Sequence, residues 1–275
     1  MLKTRVITAV VLLAGLLGAI FLLPAIGWLA LCALVCAAAG WEWGALTRMA
    51  TPVRVTFAAL LGAACLLIGL YAGLARPDGA PGAVLLPVYL LSALFWLAVV
   101  PFWLRHKWPV PGLASAILVG LVVLLPPALA LAHLRQFGAW LLLAAMAICW
   151  IADIAAYFTG RAFGRRKLAP AISPGKSWEG VYGALLGVVV YGLLVNGLAQ
   201  GPFSGAAGLL ALSAALIVLT AVSVMGDLFE SLLKRQVGLK DSGSLLPGHG
   251  GILDRIDSIT STLPLIGLAA LWFAR

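Results

Sequence analysis

The chain has 275 residues, of which 63% are hydrophobic and only 10% charged, with a mean hydropathy of +1.11. That composition cannot supply the polar shell of a water-soluble globule, so the chain reads as an all-α polytopic integral membrane protein. The net charge of +9 sits in loops, where it serves topology and headgroup contact, and nothing in it points to nucleic acid.

A helix needs about 20 apolar residues to cross a hydrocarbon core of roughly 30 Å. Such runs lie at 5–24, 25–46, 53–74, 84–104, 112–132, 137–158, 181–199, 205–226 and 258–274, about nine spans. The first follows Lys3 and Arg5 but is too long for a cleaved signal and has no small-x-small site, so it reads as a retained helix. In the second, Cys32 and Cys36 share a face without a His or carboxylate and read as small buried residues. Glu42, between Trp41 and Trp43, reads as part of an interfacial aromatic anchor. Pro126 and Pro127 predict a kink in the fifth span. Gly183 and Gly187 place a GxxxG close-packing face on the seventh.

Bases in short loops stay on the cytoplasmic side. With the N-terminus inside, fifteen of the 18 Lys and Arg fall there, and only Arg76, Arg135 and Arg275 fall outside. The two long polar loops, 159–180 and 227–257, then face the cytoplasm. The chain divides into 1–136, about five spans with almost no intramembrane polar group, and 137–275, which carries the chemistry: seven of the nine carboxylates lie between Asp153 and Asp257.

The first loop, after Asp153, contains Arg161, Arg165, Arg166 and Lys167, then Ser173-Pro174-Gly175-Lys176-Ser177-Trp178-Glu179-Gly180. Glycine-freed N–H groups, the Ser173 and Ser177 hydroxyls and the Lys176 ammonium suit an anion just ahead of a helix. It is not a P-loop, because Pro170 stands where the leading glycine belongs and no strand precedes it. In the second loop Asp227, Glu230, Ser231 and Lys234 share one helical face at i, i+3, i+4 and i+7. Lys240, Asp241 and the turn around His249 lead to Asp254, Arg255 and Asp257. Asp254 and Asp257, at i and i+3, repel one another until a cation relieves them. With Asp227 they make a hard-oxygen set that suits Mg²⁺ better than zinc, with a second cation left open. For His249, turn closure and a site role weigh evenly.

Ser231-x-Leu233-Lys234-Arg235, Lys240-Asp241-x-Gly243, Leu246-Pro247-x-His249-Gly250-Gly251-Ile252 and Asp254-Arg255-Ile256-Asp257 resemble the signature of the phosphatidate cytidylyltransferases, the CDP-diacylglycerol synthases. The Ser173 to Gly180 loop and Tyr157-Phe158-x-Gly160-Arg161 resemble that family as well. The resemblance implies that CTP and phosphatidate yield CDP-diacylglycerol and pyrophosphate, with magnesium and a homodimer, in a bacterial cytoplasmic (inner) membrane. Its implied metal ligands and catalytic carboxylates are Asp227, Asp254 and Asp257, with Lys234 as a catalytic cation. Implied substrate contacts are Ser173, Lys176, Ser177, Glu179, Ser231, Arg235, Lys240, His249 and Arg255, the last on pyrophosphate or on Glu179. A CTP-dependent polyprenol kinase or an ether-lipid CDP synthase would use the same loops. A transporter is the rival of another class, and it would need ionisable groups near several midplanes where this chain gathers them at one face.

Overall fold

The computed structural model describes residues 2–76, 83–246, 248 and 250–273. Its helices are α1 (Leu2–Leu22), α2 (Ala25–Leu46), α3 (Thr51–Tyr71), α4 (Leu85–Leu94), α5 (Val100–His106), α6 (Gly112–Gln136), α7 (Ala139–Phe163), α8 (Trp178–Leu198), α9 (Gly205–Gln236) and α10 (Leu253–Phe273). A π turn at Phe95–Val99, just ahead of Pro101, joins α4 and α5 into one rod. Among the described residues, seven helical rods are long and apolar enough to cross a membrane by length and composition. α1 contributes the shorter apolar stretch Ile7–Leu22. α10 stands apart because it opens with Asp254, Arg255 and Asp257 and continues through Ser258, Thr260, Ser261 and Thr262.

Three helices overrun their apolar stretches by five residues or more. α7 continues from 158 to Phe163, α9 from 226 to Gln236, and α10 starts at Leu253 where the apolar run starts at 258. Hydropathy marks the part of a helix that lipid requires, while intrahelical hydrogen bonds carry the backbone onward wherever it would otherwise lie unpaired. Asp227, Glu230, Ser231, Lys234 and Arg235 therefore stand on one rigid rod. Between α7 and α8 the chain forms a small antiparallel hairpin, β1 (Lys167–Ala169) with β2 (Ser173–Ser177), in which Lys167 faces Ser177 and Ala169 faces Ser173, so a short strand does precede the 173–180 loop, contrary to the expectation from sequence.

Lipid tails are as apolar as leucine, so packing and interhelical hydrogen bonds hold the bundle together. Trp43, Trp96, Tyr89, Phe229, Leu129 and Leu134 form its fully buried centre. Trp43 Nε1 donates to the Ala116 carbonyl (2.8 Å) and Trp28 Nε1 to that of Leu131 (3.0 Å), tying α2 to α6. α6 remains helical through Pro126 and Pro127. The Val122 carbonyl, deprived of its partner by Pro126, has Ser92 Oγ of α4 at 3.5 Å. Gly183 and Gly187 pack within the chain, their missing side chains admitting Thr159 and Ala155 of α7.

One end of the bundle collects the C-termini of α2, α5, α7 and α9 and the N-termini of α3, α6, α8 and α10. Gln236 ties α9 to the α5–α6 turn through the carbonyls of Lys107 (3.2 Å) and Trp108 (2.9 Å). At the opposite end Arg135 donates to the Ile20 carbonyl (2.8 Å) and to that of Leu23. Both polar loops meet at the first end.

Candidate active site

Three carboxylates on three helices come within electrostatic reach of one another there: Asp153 on α7, Asp227 on α9 and Asp257 on α10. The approach of α9 to α10 depends on Gly226, where a Cβ would lie 2.7 Å from the Asp257 carbonyl and 2.5 Å from Ser261 Oγ. Ser261 Oγ also donates to the Val222 carbonyl (2.9 Å), locking the contact one turn away. Cys149 Sγ lies 3.0 Å from Thr262 Oγ1, joining α7 to α10. One turn on from Cys149, Asp153 comes within electrostatic reach of Asp257, Asp227, Arg255 and Lys176. Lys176, on β2, forms an ion pair with Asp227, and Ser231 Oγ donates to Asp227 Oδ1 (3.2 Å). The hairpin thus delivers an ammonium from the first loop to the carboxylates of the second.

Asp254 belongs to a different group. Its Oδ1 lies 2.6 Å from Lys234 Nζ, which is also 3.1 Å from Glu230 Oε1. Its Oδ2 accepts from Ser242 N (2.9 Å), Ser242 Oγ (3.0 Å) and Gly251 N (2.8 Å). Both oxygens are committed, and the side chains of Lys234, Asp254 and Glu230 are only 10%, 5% and 8% exposed. The trio read from the sequence is thus divided by its direct contacts: Asp227 and Asp257 act on Asp153, Asp254 holds Lys234 and the loop that starts α10, and Asp257 also comes within electrostatic reach of Glu230 beside Lys234.

The other expected contacts divide between local structure and an open surface. Ser177 is buried as the N-cap of α8, its Oγ accepting from Gly180 N at 3.2 Å. Glu179 accepts from the backbone N–H groups of Arg165 (3.1 Å) and Arg166 (3.2 Å), so it shapes the turn before β1. Ser173 is half-buried at the start of β2. Arg235 reaches the carbonyls of Ile172 (3.5 Å) and Leu239 (3.3 Å), bracing the hairpin against α9. Lys240 and Arg255 are exposed, and neither forms an ion pair among the described residues. His249 lies outside the described residues.

Among the described residues no group of three or more His, Cys, Asp or Glu side chains is placed to hold a metal ion. The Lys176 ammonium instead supplies positive charge to the carboxylate cluster. In chemistry the donor set of Asp153, Asp227 and Asp257, all carboxylate with no His or Cys, fits a hard divalent cation such as Mg²⁺.

Two residues left out of the expected site bear on it, Asp153 directly and Glu42 through the start of α10. Asp153 was legible as a lone carboxylate inside an apolar run, a functional signal by default. Glu42 carried the same signal, but the flanking tryptophans drew it toward an interfacial reading. The structure corrects that reading: Glu42 is 1% exposed and Trp43 2%, and the Glu42 carboxylate accepts from the backbone of Ile252 and Leu253 and from Ser242 Oγ. No pattern local to either stretch links residue 42 to residue 252.

Residues 3–273 match the model of the Cytidylyltransferase family. The chain is 45% identical to a phosphatidate cytidylyltransferase of Pseudomonas aeruginosa, covering 100% of this chain and 98% of the relative. It is 35% identical to one of Haemophilus influenzae, over 96% of both chains, and 38% identical to one of Brucella suis, over 99% of this chain and 94% of the relative. With the resemblance running through all the helices and not through the polar loops alone, the chain belongs to the cytidylyltransferase family.

Proposed function

We propose that this protein transfers the cytidylyl group of CTP to phosphatidate, giving CDP-diacylglycerol and pyrophosphate. The observation that carries the reading is the Lys176–Asp227 contact beside Asp153 and Asp257. It joins both polar loops at one end of an apolar bundle, where a soluble nucleotide and a bilayer lipid can meet. The full-length relatives, phosphatidate cytidylyltransferases of three bacteria, support the same reaction.

Nucleotidyl transfer asks for positioning and charge neutralisation, so no protein nucleophile is needed. A phosphatidate phosphate oxygen attacks the α-phosphorus of CTP, and the bond to the pyrophosphate oxygen breaks. Lys176 and Arg255 face the polyanions from two elements, and Lys240 stands exposed on the loop between α9 and α10. Asp227 and Asp257, with Asp153, would hold Mg²⁺ or a second cation; such an ion, when bound, offsets phosphate charge. Asp254, expected to share that ion, here serves as anchor for Lys234.

Purified protein given labelled CTP, magnesium and phosphatidate should move label into a chloroform-soluble product; no transfer with any divalent metal would remove this reading. A homodimer in a bacterial cytoplasmic membrane, with the site facing the cytoplasm, belongs to the same proposal. A reporter fused after Lys167 should read as cytoplasmic and one in the turn at 137–138 as external. The inverted pattern would put the site away from the CTP pool.

A further inference from the structure

α10 begins at Leu253, and its N-cap position, Ile252, offers no side-chain acceptor for the N–H groups left open at a helix start. The acceptor comes from α2 instead. Glu42 Oε1 accepts from Ile252 N (3.0 Å) and Glu42 Oε2 from Leu253 N (2.9 Å), so one carboxylate caps a helix that starts more than two hundred residues later. Its negative charge also faces the positive end of the α10 dipole. The surroundings are shaped for it: a Cβ on Gly243 would stand 2.5 Å from Oε1, and one on Gly251 2.4 Å from Oε2.

Ser242 Oγ lies 3.1 Å from Glu42 Oε2 and 3.0 Å from Asp254 Oδ2. Its single proton is shared between the two carboxylates, which leaves a continuous chain from Glu42 through Ser242 and Asp254 to Lys234 and Glu230. Arg54 of α3 adds its charge to the Glu42 side, held in place by stacking 3.5 Å over Trp41. Asp257 follows the capped turn directly.

We infer that Glu42 is a positioning residue, which sets the start of α10 and thereby the placement of Asp254, Lys234 and Asp257. Its consequence for catalysis rests on the proposed cytidylyl transfer; its structural role does not. Glu42→Gln keeps the volume but turns an NH₂ toward an N–H donor, so one amide of the cap loses its acceptor.

In the full-length variant, hydrogen exchange at 250–254 should rise roughly 10- to 100-fold, the loss expected for a charge-assisted bond, with α6 and α8 unchanged. In the transfer assay kcat should fall about tenfold or more while KM for CTP moves less, because a misplaced site still binds nucleotide. Ser242→Ala, which leaves Glu42 in place, should loosen the same segment, and the double variant should add little to Glu42→Gln. Unchanged exchange at 250–254 in both single variants would overturn the inference. So would an equal rise in all helices, which would make Glu42 a general stabiliser of the bundle. If the unaltered protein transfers no label, the exchange result still decides the role of Glu42 and only the reaction assignment falls.

Discussion

Asp257→Asn should lower cytidylyl transfer by on the order of 10²- to 10³-fold while the protein inserts and melts as before, the loss typical of removing one preorganised electrostatic group. Asparagine keeps the size of the side chain and caps a helix about as well as aspartate, so a residue serving only to start α10 would survive the change. Asp227→Asn and Asp153→Asn should behave alike, because the three carboxylates act on one another electrostatically and face one ammonium, that of Lys176. If they hold magnesium, each variant should also need a higher metal concentration for half-maximal rate. The measurement is transfer rate against magnesium for the three variants beside the parent. Near-normal rates at limiting magnesium in all three would return these residues to structural duty.

Lys234→Met should cost about 3 to 5 kcal/mol of stability, because it leaves Glu230 and Asp254 as buried carboxylates with no counter-charge. Lys176→Met should cost far less, since Lys176 and Asp227 are about a quarter exposed (26% and 25%) and water can take over. Thermal unfolding in detergent distinguishes the two, and high salt should narrow the difference little, since the buried group is poorly screened. Adding Glu230→Gln and Asp254→Asn to Lys234→Met should return much of the stability without restoring transfer. A single Lys234→Met variant that melts with the parent would show that the triad is not held as the structure places it.

Much of this was legible along the chain because the bilayer imposes length and apolarity on each span separately, and each can be read without knowing its neighbours. The helices from α2 to α9 lie where the apolar runs predict, with ends displaced wherever a helix leaves lipid but keeps its backbone bonds. Asp227, Glu230, Ser231 and Lys234 were placed on one face by the 3.6-residue period alone, and they occupy one rod. Phosphate-handling chemistry was likewise legible from residue types concentrated in two loops of an otherwise uncharged chain.

The sequence by itself determined the class of protein, the helical spans, the polar loops and the family resemblance, because periodicity, hydropathy and motif spacing are properties of neighbours in the chain. Only the tertiary structure decided which carboxylates share a site. Asp254 and Asp257 are three residues apart, yet one faces Lys234 and the other faces Asp153 and Asp227. Sequence spacing sets the angle between two side chains on a helix, but what stands opposite each depends on how α7 and α9 pack on α10. That packing turns on Gly226 and on the Cys149–Thr262 contact. Glu42 makes the same point over a longer distance: α10 cannot supply its own cap, and a charge excluded from lipid settles on the nearest open N–H groups, which the fold alone brings to α2.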